Sequence, residues 1–167
     1  MGTVCFCFFG LKGQLREIKA HEYASKTAQF GYYFSKYGEG IQVDLSLYNK
    51  IGNTNRMSIS FDIGEFEEPS SSFRVLKADY AHLYTVNIND FIYWNIGGGG
   101  FVSVEHISDD ILEKSKTKFS PGINAMIELE LFYGRVGVFV LGEQRYRPMS
   151  IIGDWYWRAG FGLKYVF

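Results

Sequence analysis

The chain has 167 residues, enough for one domain with a substantial core, and a formal charge of −1 with no basic run, which argues against a nucleic-acid footprint. Aromatics make up 18%, and 19 glycines stand against 3 prolines, a composition suited to strands. No apolar run approaches the roughly 20 residues of a helical membrane span, so a place in a membrane requires a closed sheet.

The first apolar block, Val4 to Phe9 (VCFCFF), precedes Gly10 and reads as the tail of a secretory signal without its charged start. We take 1–11 as a truncated signal-like segment and 12–167 as a single barrel domain. Cys5 and Cys7 leave no second pair for a zinc site and stand too close for a disulfide. A lipid attachment at Cys5 has only a loose match in Gly2-Thr3-Val4. Between Lys12 and Ser25, the residues Leu15, Ile18 and Tyr23 fit either an extended lead-in or a short helix.

Regular alternation then begins. Ala28, Phe30, Tyr32 and Phe34 share one face, and a turn is expected over Tyr37 to Gly40, where the glycines suit a tight connection. Ile41, Val43, Leu45 and Leu47 alternate with Gln42, Asp44, Ser46 and Tyr48 up to a turn at 51–55. Met57, Ile59, Phe61 and Ile63 alternate with Ser58, Ser60, Asp62 and Gly64. Period two is what a strand produces, because successive side chains leave opposite faces. Glu65 to Ser72 is polar, contains Pro69 and reads as a loop. Phe73 to Tyr84 is a strand of poorer phase, with Leu76, Ala78, Tyr80 and Tyr84 against Lys77 and Asp79, and a bulge near Ala81 would explain the mixed parity.

Asp90 to Glu105 is long, with Ile92, Trp94, Ile96, Val102 and Val104 on one face. Its Gly97 to Gly100 run lacks the Lys-Ser or Lys-Thr of a phosphate loop and reads as a place where the sheet bends or admits a close neighbour. His106 to Ser120 is the longest polar segment and reads as a solvated loop. Ile123, Ala125, Ile127, Leu129 and Leu131 alternate with Asn124, Met126, Glu128 and Glu130; a short turn at 133–135 leads to Val136, Val138 and Val140, whose partners include Glu143 and Arg145.

The last stretch, Asp154 to Phe167, carries Trp155, Trp157, Phe161, Leu163, Tyr165 and Phe167 on one face and Arg158, Lys164 and two glycines on the other. Its length is close to the roughly 9–11 residues of a tilted transmembrane strand, with aromatics at both ends where interfacial belts want them. The expected fold is an all-β, eight-stranded antiparallel up-and-down transmembrane β-barrel. Connections alternate long and short backward from the C-terminus. In outer-membrane barrels the short turns are periplasmic, which puts both termini in the periplasm; the aromatic ending at Phe167 resembles the closing strands of outer-membrane proteins, a resemblance that implies an assembly signal there.

A soluble lipocalin-like ligand-binding barrel also has eight strands. Its solvent face would be densely charged, whereas here the polar parity is mostly Ser, Gly, Asn and Tyr. Its few ionic groups are Asp44, Asp62, Lys77, Asp79, Glu128, Glu130, Glu143, Arg145, Arg158 and Lys164. Six acids and four bases suit pairing inside a narrow lumen, with Glu128 and Glu130 expected to meet Arg158 or Lys164. Trp94, Trp155 and Trp157 all fall on the apolar parity and, with Tyr165, are expected at the membrane interfaces. A lipid-modifying enzyme would need a rim nucleophile or base. His21, His82 and His106 come with no serine-elbow or HExxH motif, so packing or surface roles are expected, and no metal or other cofactor is implied.

The C-terminal half, from DFIYWNIGGGG through INAMIELELFYGRVGVFVLGEQRYRP to GDWYWRAGFGLKYVF, resembles the conjugative-transposon protein TraO family. Arg158, Ala159, Gly160, Gly162, Leu163, Lys164, Tyr165 and Phe167 match that family's closing strand, and Asp90 to Tyr93 match the start of its central strand. The resemblance implies a small outer-membrane barrel acting as an accessory structural component of a DNA-transfer apparatus. Its partners would be membrane lipid, the outer-membrane assembly machinery and other conjugation proteins, without direct nucleic-acid contact. It implies no catalytic residue.

Overall fold

Alternation becomes architecture through pairing. A computed structural model of the chain describes residues 26–48, 52–66, 71–89, 91–109 and 114–167. The signal-like segment, the lead-in at 12–25, both cysteines and His21 lie outside the described residues. Eight strands follow in order: β1 Lys26–Ser35, β2 Gly38–Tyr48, β3 Asn53–Phe66, β4 Ser71–Asn89, β5 Ile92–Asp109, β6 Lys114–Tyr133, β7 Val136–Tyr146 and β8 Trp155–Val166. Each pairs antiparallel with its neighbour, and β8 returns to β1, from Thr27↔Val166 to Ser35↔Arg158, to close the barrel.

Closure at the seam depends on small residues beside large ones. A Cβ on Gly160 would stand 2.2 Å from the Tyr33 ring, and one on Gly162 would stand 2.0 Å from Phe30 O and 2.7 Å from the Phe139 ring. These positions leave room for two inward aromatics and for close strand approach. Beyond the last ladder pair, Phe167 N donates to Lys26 O at 3.0 Å, which ties the C-terminus to the start of β1.

Several expected boundaries move. The turn expected at Tyr37 to Gly40 is tighter, since β2 already starts at Gly38; a Cβ there would meet Ile63 O at 2.0 Å, so its glycine serves close packing against β3. Among the described residues, the expected loops over 65–72 and 106–120, and the stretch 85–89 expected as a short connection, are strand: β3 runs to Phe66, β4 spans Ser71–Asn89, and β5 and β6 stay paired out to Asp109↔Lys114. Their polar side chains mark strand that outruns the apolar belt instead of a change in backbone state. No bulge occurs at Ala81; β4 keeps one parity from Ser71 to Tyr84, and the register shift falls at Asn87/Asn89. Phase looked poor because Val75, Ala81 and Leu83 point into an interior that is itself apolar at those levels.

Inward positions along β6 show the layering. Phe132 joins Tyr93 and Val166 in an apolar floor at the end that holds both barrel termini. Glu130 and Glu128 follow, then Met126 in a middle layer with Tyr33, Leu83, Phe139 and Leu141, then Asn124 in a second polar layer. At the far mouth, Phe73, Val75 and Ile152 form the lid of the core.

Candidate functional site

The lumen is a stack of charge sealed by aromatics. In its lower layer, Arg56 grips Glu128 with two donors, Nη1 at 2.9 Å and Nη2 at 2.5 Å, and Lys164 Nζ reaches the same carboxylate at 2.9 Å and also binds Glu130. Asn95 Nδ2 donates to Glu128 at 3.0 Å and to Glu130, and Gln29 Nε2 donates to Glu128 at 3.2 Å. The side chains of Arg56, Lys164, Glu128 and Glu130 are essentially without solvent contact. Burial on that scale is tolerated only with paired charges and satisfied hydrogen bonds.

The upper layer is built around Glu143. Arg145 Nε lies 2.9 Å from it, Arg158 Nε bonds it, and Asn124 Nδ2 donates at 2.7 Å. Arg145 also reaches Asp79 at 2.8 Å and stacks over the Phe101 ring, while Arg158 binds Gln42 and covers the Tyr33 ring. Lys77 pairs with Asp62 nearby. Of the pairs expected across the lumen, the structure brings Lys164 to both Glu128 and Glu130; Arg158 goes instead to Glu143, on the neighbouring strand, because the Met126 and Phe139 layer separates it from the lower carboxylates.

A third group closes the outer mouth. Glu105, fully buried, accepts from Arg147 Nη1 at 2.8 Å, Ser150 Oγ at 3.0 Å and Ile151 N at 2.9 Å, so the connection between β7 and β8 is pulled over the barrel end. Sequence reasoning left Arg56, Glu105 and Arg147 out of the ionic set. Their signal was parity: Arg56 continues the Ser58 and Ser60 row, and Arg147 continues the Glu143 and Arg145 row past the strand end.

The outer wall is the reverse of the lumen. Phe30, Val43, Leu45, Ile59, Ile127, Val140, Phe161 and Leu163 are all exposed, and Trp94, Trp155 and Trp157 are 41%, 60% and 50% accessible. Tyr165 and Phe167 also face out, at the end opposite Trp155 and Trp157 along β8. The three tryptophans therefore do not meet at the centre, which rules out the soluble arrangement with an oily interior. Two recesses of about 450 and 820 Å³ open on the outer wall, the first lined by Phe30, Leu131, Val140 and Leu163 and the second by Val43, Met57, Tyr80 and Val102. Of the described histidines, His82 stands on this wall with Nδ1 2.8 Å from Asn55 Oδ1, and His106 Nδ1 is 2.9 Å from Thr117 Oγ1.

An apolar belt turned outward over a closed antiparallel sheet, with paired charge inside, defines a small outer-membrane β-barrel. Solved structures agree on the fold. The attachment invasion locus protein Ail of Yersinia pestis matches with a TM-score of 0.58 at 13% identity, over 86% of this chain and 97% of that one. Neisserial surface protein A matches with a TM-score of 0.60 at 12% identity, over 86% and 96%. A major outer membrane protein from Thermus thermophilus gives 0.63 at 10% identity, over 87% and 100%. No family model matches the chain, and no curated protein matches it.

Proposed function

We propose that the chain is a non-enzymatic accessory component of a conjugative DNA-transfer apparatus, resident in the bacterial outer membrane with both termini on the periplasmic side. The observation that carries this reading is the filled lumen. Paired charges and aromatic layers occupy the interior from Tyr93 to Ile152, so the molecule offers surfaces instead of a conduit. A filled lumen supports a structural role, and the conjugative setting rests on the resemblance of the closing strand, Arg158 to Phe167, to the TraO ending. Trp94, Trp155, Trp157 and Tyr165 act as interfacial anchors, and Phe167 marks the strand read by the assembly machinery. The decisive experiment is deletion of the gene from a donor strain, with transfer frequency measured and the protein located by envelope fractionation. A fall in transfer, restored by the gene in trans, together with recovery in the outer-membrane fraction is expected. Undiminished transfer would overturn the conjugative role.

A further inference from the structure

Strands β5 and β6 outrun the wall beside them. They remain paired as far as Asp109↔Lys114, whereas β7 takes up β6 only from Ile123↔Tyr146. Residues 114–122 of β6 therefore have a strand neighbour on one side alone among the described residues. The chain after β7 covers the lower part of this edge, where Ser120 Oγ donates to Met149 O at 3.1 Å and Tyr146 O lies 2.5 Å from where a Gly122 Cβ would stand. What remains is 114–119, about 20 Å at the usual strand rise, presenting the outward backbone groups of alternate residues.

The chemistry of this edge is one-sided. Lys116 is exposed and Lys118 half-buried, and they share a face, opposite Ile107 and Glu105 on β5. Glu105 is taken by Arg147, Ser150 and Ile151, and neither lysine makes an ion pair among the described residues. The other face carries Ser115 and Thr117, the latter bonded to His106. Phe119 is exposed at the base of the segment. Lysines on an open edge oppose pairing with a second copy, which would bring the same cations to the same place. Those charges favour an incoming strand with carboxylates at alternate positions.

We propose that residues 114–119 of β6 form a docking edge that takes up an acidic, extended segment of a partner protein as an added strand. Main-chain bonds supply the affinity, and Lys116 and Lys118 select carboxylates two residues apart. The edge stands on strand register and charge alone, independent of the conjugative role, and its test uses purified protein, so either reading can fail without the other.

The experiment takes the full chain folded in phospholipid nanodiscs and a fluorescein-labelled eight-residue peptide alternating Glu with Val and Thr. Saturable binding is expected, with slowed amide exchange confined to 114–119. Reversal of both lysines, K116E with K118E, in protein that still shows the heat-modifiable folded band, should weaken binding about tenfold. Peptides N-methylated at alternate residues, in either phase, keep the charge but cannot extend a sheet on the methylated side, and one of the two phases should lose binding in the unaltered protein. Equal binding of both N-methylated forms, absence of amide protection at 114–119, or protection only on self-association of the barrel would overturn the proposal. So would equal occupancy by a sulfated polysaccharide that leaves those amides exchanging freely, since that result means charge without strand addition.

Discussion

Replacing Glu128 by alanine withdraws the carboxylate on which the lower ionic layer converges. Arg56 loses both arms of its only ion pair among the described residues, at 2.9 and 2.5 Å, and retains a 3.4 Å contact to Ser46 Oγ and a 3.8 Å contact to Met126 Sδ. Lys164 fares better, because Glu130 still binds it. Removing one partner of a buried pair costs about 3–5 kcal/mol, and a stranded guanidinium in a closed interior places the loss near the middle of that range. With a urea dependence of about 2 kcal/mol per molar, the unfolding midpoint should fall by about 2 M. The paired replacement Glu128→Leu with Arg56→Met removes both charges together and leaves Lys164 with Glu130; it should lie within about 1 kcal/mol of the parent or above it. Both are read by urea titration in phospholipid bilayers, following the folded heat-modifiable band. A single variant whose midpoint stays within about 0.5 M of the parent would refute the sealed lumen, because it would mean that water already screens these charges.

Glycine tolerance should differ sharply between neighbours. A Cβ at Gly99 would stand 1.9 Å from Tyr80 O and 2.6 Å from Ala81 Cα, so Gly99→Ala should cost about 1–3 kcal/mol, while at Gly100 the nearest atom is 3.7 Å away and Gly100→Ala should change stability by less than about 0.5 kcal/mol; the same titration separates them. Val140→Lys, on the outward face of β7, should destabilise the barrel in bilayers by about 2–4 kcal/mol, and an effect near zero would contradict contact with hydrocarbon. Glu105→Ala should release the connection after β7 to limited proteolysis at 148–154 while the barrel band persists, because three hydrogen bonds from that connection, donated by Arg147, Ser150 and Ile151, end on its carboxylate. Deletion of Tyr165 to Phe167 removes the 2.8 Å bond from Val166 N to Arg135 O and the 3.0 Å bond from Phe167 N to Lys26 O, and should abolish membrane insertion as measured by recovery of folded protein from outer membranes.

The barrel itself was legible because its two faces differ in kind. Where Ile41 to Leu47 alternates with Gln42 to Ser46, or Ile123 to Leu131 with Asn124 to Glu130, the parity names both the strand and the side. Legibility failed where that contrast disappears. On β4, Ala81 and Leu83 are as apolar as Ala78 and Tyr80 on the opposite face, since the barrel has its own oily layer at mid-height. Above the apolar belt both faces turn polar, and β5 and β6 there looked like loop although their pairing continues. Ion partners were missed for a geometric reason: Arg56 meets Glu128 across the cylinder, 72 residues away, and a parity reading says that both point inward without saying at what height.

Several of these charge contacts join strands that are not neighbours in the sheet. Arg56 on β3 meets Glu128 on β6, Asp79 on β4 meets Arg145 on β7, and Lys164 on β8 reaches past β7 to Glu128 and Glu130 on β6. A half-built ribbon would carry each of these ions without its counterpart, in surroundings already losing water. Incomplete intermediates are thereby penalised, and the last hairpin to arrive neutralises several cations and carboxylates at once, which makes ring completion a cooperative event.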